Sequence, residues 1–322
     1  MQLYREKLEH HQVIIYFVAV IIAAVTALTL PGMKALEQAI NPALALMLFV
    51  TFLQVPLSDL RRAFTHVRFL SALLVTNFLI VPVLVACLVP WLPDEPLIRL
   101  GVLFVLLTPC IDYVVTFSHL GRADARLLLA ATPALLVIQM LLLPAYLGLF
   151  LGEAAAELMQ AAPFIDAFIW LIAIPFLLAA VVQYWACRHT SGERVSAVLG
   201  LWPVPATALV LFVVIAAFIP QLETTIDTTL QVVPVFIAFA ATAPLIGWAV
   251  SRAFQLDIPA SRAVAFSAGT RNSLVILPLA LAVPGAIPVL PAVIISQTLV
   301  ELVSELIYIR LIPRFSGGNK VL

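Results

Sequence analysis

The amino-acid sequence predicts an all-α polytopic membrane protein with ten transmembrane helices in two inverted five-helix repeats. Three observations support this fold class: the composition, the spacing of long apolar stretches, and the distribution of basic residues among the loops. Of the 322 residues, 63% are hydrophobic and only 11% are charged, and the mean hydropathy is +1.13. A soluble chain of this length could not bury so much apolar surface in one core, whereas a lipid bilayer accepts it.

Long apolar stretches predict the ten spans, because each is close to the roughly 20 residues that a helix needs to cross a bilayer. The first stretch follows a polar start but lacks a small-residue cleavage site, so we interpret it as a retained span and not as a signal peptide. The predicted spans cover residues 12–30, 40–57, 68–91, 97–119, 127–151, 163–187, 198–219, 229–251, 261–284 and 287–311.

Basic residues alternate between successive loops. Fourteen of the 17 Lys and Arg residues lie before the first span or after an even-numbered span, and the intervening loops hold only Lys34 and Arg99. This positive-inside pattern predicts a multi-pass protein of the cell (inner/plasma) membrane with both termini in the cytoplasm. Five spans in each half make the second half start on the opposite side of the membrane, as in an inverted repeat. We predict that residues 1–157 and 158–322 are the two repeats of a single integral membrane unit.

Several function classes find no support in the sequence. The net charge is zero, which gives no indication of nucleic-acid binding. The three cysteines lie in apolar segments without CxxC or zinc-ligand spacing, so we expect no metal and no cofactor. DDxxD, HExxH, GxSxG and Walker motifs are absent from the sequence, so we expect no catalytic residues and no enzyme. The class that fits is a transporter, with a small-molecule or oxyanion substrate, a coupling ion and the lipid bilayer as partners.

The fourth and ninth spans occupy corresponding places in the two halves, and both are predicted to be interrupted near their midpoints. The fourth contains Thr108-Pro109-Cys110, and the ninth contains residues 269–273, Gly-Thr-Arg-Asn-Ser. Pro109 alone would also be consistent with a simple kink. Backbone groups freed at an interruption cannot face lipid, so they line a cavity or bind a ligand. We expect the substrate to contact Thr108, Cys110, Asn272 and Ser273.

Ionisable residues in the spans provide candidates for ion coupling. A charge at the bilayer centre costs at least about 3 kcal/mol on insertion scales, so Asp112 either lies in a functional cavity or is the structural partner of Arg271. Glu301 in the tenth span could pair with Arg271 instead, and Glu305 on the same helical face could reach water or Arg310. The ion-coupling candidates are therefore Asp112, Arg271 and Glu301. Secondary cavity candidates, which interhelical hydrogen bonding would also explain, are Gln54, Asn77, Gln139 and Gln297.

The run PCIDYVVTFSHLGRADARL, residues 109–127, resembles the fourth-span motif of the arsenical-resistance (arsenite efflux) permeases. The run AVAFSAG, residues 263–269, resembles the opening of that family's ninth-span motif, and Asn272 fits one of its asparagines. These permeases belong to the bile acid:sodium symporter superfamily. The resemblance implies a panel domain and a core domain, with helices 4 and 9 discontinuous and crossed. The residues that match the fourth-span motif without a gap are Pro109, Cys110, Ser118, Leu120, Arg122 and Asp124, with His119 in its aromatic position.

The resemblance also implies a secondary active transporter that exports arsenite, and we expect it to be an antiporter driven by the proton gradient. Its critical thiol would be Cys110, and trivalent arsenic is soft and prefers sulfur ligands. A packing role for a buried cysteine is the alternative.

Three positions depart from the family pattern. Leu274 stands in place of a carboxylate, Arg271 in place of a neutral amide, and Asp112 in place of a small residue. Sodium symporters of the superfamily surround two cations with neutral and acidic oxygens, so a guanidinium there would repel sodium. We therefore expect Arg271 to act as a tethered cation facing Asp112, and we favour protons over sodium as the coupling ion. The alternative function is ion-coupled transport of a small organic anion, bile-acid-like or carboxylate, with Arg271 binding its carboxylate.

Overall fold

The computed structural model describes residues 2–54, 66–152, 165–166, 169–222 and 226–315. Within these ranges the chain is helical and forms no β-strand beyond one isolated antiparallel bridge. Turns of π-helix at Thr76–Ile80 and Ile169–Ala173 precede the α-helices that begin at Val81 and Ile174. The helices, numbered in chain order, are α1 Gln2–Thr29, α2 Glu37–Leu53, α3 Val67–Val75, α4 Val81–Leu88, α5 Pro96–Leu106, α6 Val114–Leu120, α7 Ala125–Leu151, α8 Ile174–Ala186, α9 Thr190–Leu199, α10 Pro203–Leu222, α11 Ile226–Ala253, α12 Ile258–Gly269, α13 Ser273–Leu281 and α14 Val289–Leu311.

Seven helical stretches in the described ranges are long and apolar enough to cross a membrane. They agree with the first, second, third, fifth, seventh, eighth and tenth predicted spans. The fourth and ninth predicted spans are each divided into two shorter helices, and part of the sixth lies outside the described residues. The protein is therefore an all-helical polytopic membrane protein, while the count of ten spans and the inverted repeat stay predictions. The seven stretches are His11–Thr29, Met33–Leu53, Val67–Trp91, Ala125–Leu151, Pro203–Pro220, Leu230–Ala253 and Val289–Arg314.

Large apolar side chains are exposed on this protein and ionisable side chains are buried, as expected for a chain surrounded by lipid. Leu28, Leu141 and Leu149 are 70%, 73% and 79% exposed, although each is a large apolar side chain. In contrast, Arg271 and Glu305 are fully buried in the protein. A chain solvated by hydrocarbon gains nothing by hiding leucine, but it must shield ionisable groups and unpaired backbone.

The first compact unit comprises residues 1–57, 159–226 and 281–288. Within it, α10 packs against α1 and α2, and α8 packs against α2. Ala23 of α1 and Ile215 and Ala216 of α10 form a buried apolar cluster. Small residues at this contact let the two helix backbones approach closely, which is how helices associate inside a membrane.

The second compact unit comprises residues 58–158, 227–280 and 289–322. Here α5 packs against α7 and α14, and α12 packs against α3, α6 and α7. Each unit takes segments from both halves of the sequence. This grouping does not test the repeats predicted at residues 1–157 and 158–322.

Both interrupted helices belong to the second unit, and their ends have local causes. Pro96 begins α5, and Pro109, which lacks a backbone N–H and disfavours a helical conformation at Thr108, follows its end. Asp257 caps α12, because its side chain accepts a hydrogen bond from the backbone N–H of Ala260 at 3.0 Å. After Gly269 the chain turns extended at Thr270, with φ −105° and ψ 129°.

Candidate functional site

The two interruptions lie side by side, and their backbones are hydrogen-bonded to each other. Pro109 and Arg271 form the isolated antiparallel bridge. The N–H of Cys110 donates to the carbonyl of Thr270 at 3.1 Å, and the N–H of Asn272 donates to the carbonyl of Thr108 at 2.9 Å. Groups at the ends of helices have no partner within the helix, so this pairing keeps them satisfied away from water. The breaks thus occur at the predicted residues and form one site.

The first interruption places a thiol against a carboxylate. Cys110 is fully buried, and its thiol donates to Oδ1 of Asp112 at 2.8 Å. The same oxygen accepts from the backbone N–H of Tyr113 at 2.6 Å. Among the described residues, Oδ2 of Asp112 has no hydrogen-bond partner. The sulfur and one carboxylate oxygen therefore form a compact pair with a second oxygen open to a further donor.

Glu301 of α14 connects the two interruptions. Its Oε1 accepts a hydrogen bond from the hydroxyl of Tyr113, which follows Asp112 in the first interruption. Its Oε2 accepts from the backbone N–H of Arg271 at 2.6 Å and from Nε2 of Gln297 at 2.5 Å. One buried carboxylate thus contacts both interruptions, and α14 supplies it from the same face as Gln297.

Among the described residues, the guanidinium of Arg271 bonds to neutral oxygens and not to a carboxylate. It is fully buried, and Nη2 donates to the carbonyls of Ser267 and Ala268 at 2.6 and 2.7 Å and to Oδ1 of Asn77 at 2.8 Å. Nη1 donates to the carbonyl of Leu106 at 3.3 Å. The expected pairing with Asp112 or Glu301 is not formed within the described residues. The side chain instead folds back along α12, where the last carbonyls of that helix lie within reach.

Asn77 meets Arg271 because of a local irregularity. It lies in the π-helical turn Thr76–Ile80, and such turns redirect side chains within a longer helix. Its Nδ2 donates to the hydroxyl of Ser267 at 3.0 Å while its Oδ1 accepts from Arg271. The predicted cavity residue Asn77 is therefore a ligand of the guanidinium.

The remaining substrate candidates at the interruptions differ in their bonding. The hydroxyl of Thr108 donates to the carbonyl of Phe104 in its own helix at 2.8 Å, and Ser273 accepts from the hydroxyl of Thr298 at 2.9 Å. Asn272 is 1% exposed, and neither atom of its amide has a hydrogen-bond partner within the described part of the chain. Asn272 thus has a buried amide at the interruption whose donor and acceptor are both unused among the described residues.

Two of the predicted cavity residues are not brought into this cluster. Gln139 of α7 is 1% exposed, and its amide has no hydrogen-bond partner in the described ranges. Gln54 lies at the end of α2, in the first compact unit.

Tyr113 and Glu305 lie in this cluster although no sequence pattern had assigned them to it, whereas Thr270 belongs to the predicted interruption and Ser267 to the run at residues 263–269. Glu305 was expected to reach water or Arg310, but it is fully buried and accepts a hydrogen bond from the hydroxyl of Thr270. Its four-residue spacing from Glu301 was the available signal, since it places both carboxylates on one face of α14. Tyr113 offered no such signal, because a tyrosine in an apolar span is normally interpreted as a packing residue.

The site is rich in carboxyl groups. Asp112, Glu301 and Glu305 are all buried around the interruptions, and Arg271 is the buried cation among the described residues there. Fully ionised, this set would carry two negative charges without a compensating cation, which is costly in a low-dielectric interior. Binding of protons relieves that cost. Within the described ranges, no group of three or more metal-binding side chains is assembled.

Comparison with known proteins gives the family but not the substrate. No curated protein sequence matches the chain. Residues 41–227 match the sequence model of the Sodium Bile acid symporter family. The matched region covers more than half of the chain and includes the first interruption, with Cys110, Asp112 and Tyr113. This protein therefore belongs to the sodium bile acid symporter family of membrane transporters.

Proposed function

We propose that the protein is a secondary active transporter that exports arsenite in exchange for protons, with the two paired interruptions as its substrate and coupling site. The observation that carries the proposal is the position of Glu301, whose two oxygens accept hydrogen bonds from both interruptions. A carboxylate can hold both donors while it is ionised. Protonation converts part of that acceptor into a donor, and the bonds that join the interruptions to α14 must rearrange.

Protons fit this site as the coupling ion better than sodium does. Three buried carboxyl groups and one guanidinium lie around the interruptions, so the site can take up protons and become less charged. Its guanidinium is bonded to the neutral oxygens that a metal cation would otherwise use. Each proton taken up changes the hydrogen bonding of residues that hold the helix ends in place.

The thiol of Cys110 supports arsenite as the substrate. In the binding step the thiol displaces one hydroxyl from arsenous acid, so that an S–As bond forms and the S–H and As–O bonds break. The thiol proton leaves with the hydroxyl as water, and release of the substrate runs in reverse. Asp112 already accepts the thiol hydrogen bond and can hold that proton during the exchange. The unpartnered amide of Asn272 can bond to a remaining hydroxyl.

The organic-anion alternative is less well supported. It assigns the carboxylate of the substrate to Arg271, but four hydrogen bonds from that guanidinium already go to oxygens of the chain, and among the described residues only its Nε is without a partner. An anion would also have to enter a site that already holds three buried carboxyl groups.

The test is arsenite uptake into everted vesicles, with an acid-inside pH gradient, with a sodium gradient, or with neither. We expect uptake in the wild type to follow the pH gradient and to be lost in Cys110→Ser. Cys87→Ser is the matched control, because Cys87 is exposed and lies outside the site. Unchanged uptake in Cys110→Ser would refute the thiol role, and uptake driven by sodium alone would refute proton coupling. No arsenite uptake in the wild type would refute arsenite as substrate and favour the organic anion.

A further inference from the structure

A cavity of about 890 Å³, here named the basic cavity, lies where three helices of the second unit begin. It is lined by the starts of α3 and α7 and by the turn between α11 and α12. These parts hold one another in place, because α12 packs against both α3 and α7. The backbone N–H of Asp124, just before α7, also donates to the carbonyl of Pro259 in α12 at 3.0 Å. The cavity is therefore formed by packed elements, and its volume is within the roughly 300–1,000 Å³ range of ligand pockets.

Two arginines in the wall of the basic cavity have guanidinium groups that the described chain does not use. Arg68 of α3 and Arg126 of α7 are exposed, and neither side chain forms a hydrogen bond or an ion pair with another described residue. In contrast, Arg252 at the end of α11 is already engaged, because its Nη1 donates to the carbonyl of Leu256 at 2.7 Å. The donors of Arg68 and Arg126 are thus available to a ligand.

The carboxylates in the same wall are bonded to their own helices. Asp124 and Asp257 accept hydrogen bonds from backbone N–H groups in the first turns of α7 and α12, at 3.1 and 3.0 Å. A smaller cavity of about 500 Å³ shares Asp124 and Arg126 with the basic cavity and adds Arg122. The arginines of the two cavities therefore outnumber the aspartates by three to two, so the excess charge is positive.

The basic cavity lies at the level where the chain enters the bilayer. Two of the membrane-length stretches, Val67–Trp91 and Ala125–Leu151, begin at its wall. Val67 lines the cavity and is 64% exposed although it is apolar, as expected at the edge of the hydrocarbon layer. Both stretches follow even-numbered predicted spans, and the positive-inside pattern predicts that this side is cytoplasmic. Phospholipid head groups occupy that level, and the cytoplasmic leaflet contains anionic ones.

Basic pockets between transmembrane helices on this side of a membrane bind the head groups of anionic lipids. We infer that the basic cavity is a binding site for an anionic phospholipid, whose phosphodiester accepts hydrogen bonds from the guanidinium groups of Arg68 and Arg126. A guanidinium matches this ligand because it can offer two parallel donors to one phosphate. The acyl chains extend past Val67 into the surrounding bilayer. A lipid bound in this way joins the start of α3 to the start of α7.

The experiment is thermal unfolding of the purified full-length protein in detergent micelles that contain increasing mole fractions of phosphatidylglycerol or of phosphatidylcholine. A third series contains inorganic phosphate without lipid, because a soluble phosphate offers the same oxygens. We expect phosphatidylglycerol to raise the unfolding temperature of the wild type saturably, by roughly 2 °C at ten times the half-saturating mole fraction. Phosphatidylcholine, which carries no net charge, and inorganic phosphate should each have a clearly smaller effect.

A pair of double variants with the same change of charge makes the test specific to the cavity. Arg68→Gln/Arg126→Gln should raise the half-saturating mole fraction of phosphatidylglycerol about tenfold or more, because it removes two charge-assisted contacts. The matched control is Arg194→Gln/Arg314→Gln, which changes two exposed arginines outside the cavity and should respond as the wild type does.

Four results would each overturn the inference. The first is a wild type that phosphatidylglycerol does not stabilise, and the second is an Arg68→Gln/Arg126→Gln protein that responds like the wild type. An equal effect of phosphatidylcholine would show that the cavity does not select an anionic lipid, and stabilisation by inorganic phosphate alone would assign the cavity to a soluble anion.

The single variants Arg68→Gln and Arg126→Gln cover the case in which the double variant does not fold. Each removes one guanidinium, and each should weaken the response to phosphatidylglycerol by about threefold or more; unchanged responses in both would contradict the assigned contacts. None of these measurements involves a substrate, so their outcome is independent of whether the protein exports arsenite.

Discussion

The sharpest prediction concerns Glu301→Gln, which keeps the shape of the side chain and removes its ability to exchange a proton. Three donors bond to Glu301 in the structure: the Tyr113 hydroxyl, the Arg271 backbone N–H and the Gln297 amide. Glutamine can retain all three contacts if its oxygen faces Arg271 and Gln297 while its amino group faces Tyr113. A tyrosine hydroxyl can turn from donor to acceptor, so that arrangement keeps all three contacts.

The cost in stability follows from the change of acceptor. A hydrogen bond to a charged group contributes about 1.5–3 kcal/mol, and one between neutral groups about 0.5–1.5 kcal/mol. Converting the bonds of Glu301 from the first kind to the second should lower the free energy of unfolding by about 1–3 kcal/mol. Glu301→Ala should cost more, because it leaves three buried donors without an acceptor and the Arg271 charge without its nearby carboxylate.

The assay compares the unfolding temperature and the pH-driven arsenite uptake of the same purified variant. Glu301→Gln should fold, with a modestly lower unfolding temperature, and should lose uptake driven by a pH gradient in vesicles. The control is Glu193→Gln, which changes an exposed glutamate of α9 in the same chemical way. If Glu301→Gln transported with an undiminished response to the pH gradient, Glu301 would not be the coupling group and the reasoning from its position would be wrong.

Three further variants test separate parts of the structure. Asn77→Ala removes one acceptor from the buried guanidinium and should lower the free energy of unfolding by about 1–3 kcal/mol, measured by thermal or denaturant unfolding; an unchanged stability would contradict the assigned bond. Gly247→Ala should destabilise by about 1–3 kcal/mol, because its methyl group would lie 2.7 Å from the Cβ of Ala268 and 2.9 Å from the carbonyl of Val264, forcing α11 away from α12. Gly148→Ala is the control for it, since nothing lies within 4 Å of the added carbon and a helical glycine is replaced by a better helix former. Cys110→Ser should keep its fold and lose protection of arsenic-sensitive cells in a growth assay, whereas Cys187→Ser should protect them as well as the wild type does.

The positions of the two helix interruptions could be predicted from the local sequence. Pro109 cannot donate a backbone hydrogen bond, and residues 269–273 contain glycine, threonine, asparagine and serine, all poor in helix interiors. Both breaks were therefore predictable at the residues where the structure has them. The buried state of Asp112 was predictable too, since it sits in the middle of an apolar stretch.

The partners of those residues were not predictable from the same information. Arg271 and Asp112 looked complementary because each carried an unexplained charge, yet the guanidinium bonds to carbonyls three and four residues earlier, in the last turn of the preceding helix α12. It also contacts Asn77 and Leu106, which are 194 and 165 residues away in the chain. Glu305 and Tyr113 joined the site only because α14 packs beside both interruptions.

By itself, the sequence determined that this protein folds in a lipid bilayer, because hydropathy is a property of each single span. It also determined where the interrupted helices end, because backbone propensity acts within one turn. The tertiary structure decided which oxygen accepts the hydrogen bond of each buried donor. That choice depends on distances of about 3 Å between residues more than 150 positions apart, on a π-helical turn that re-aims Asn77, and on two helix ends converging on one guanidinium. No pattern along the chain encodes such a convergence, because it arises from how complete helices pack.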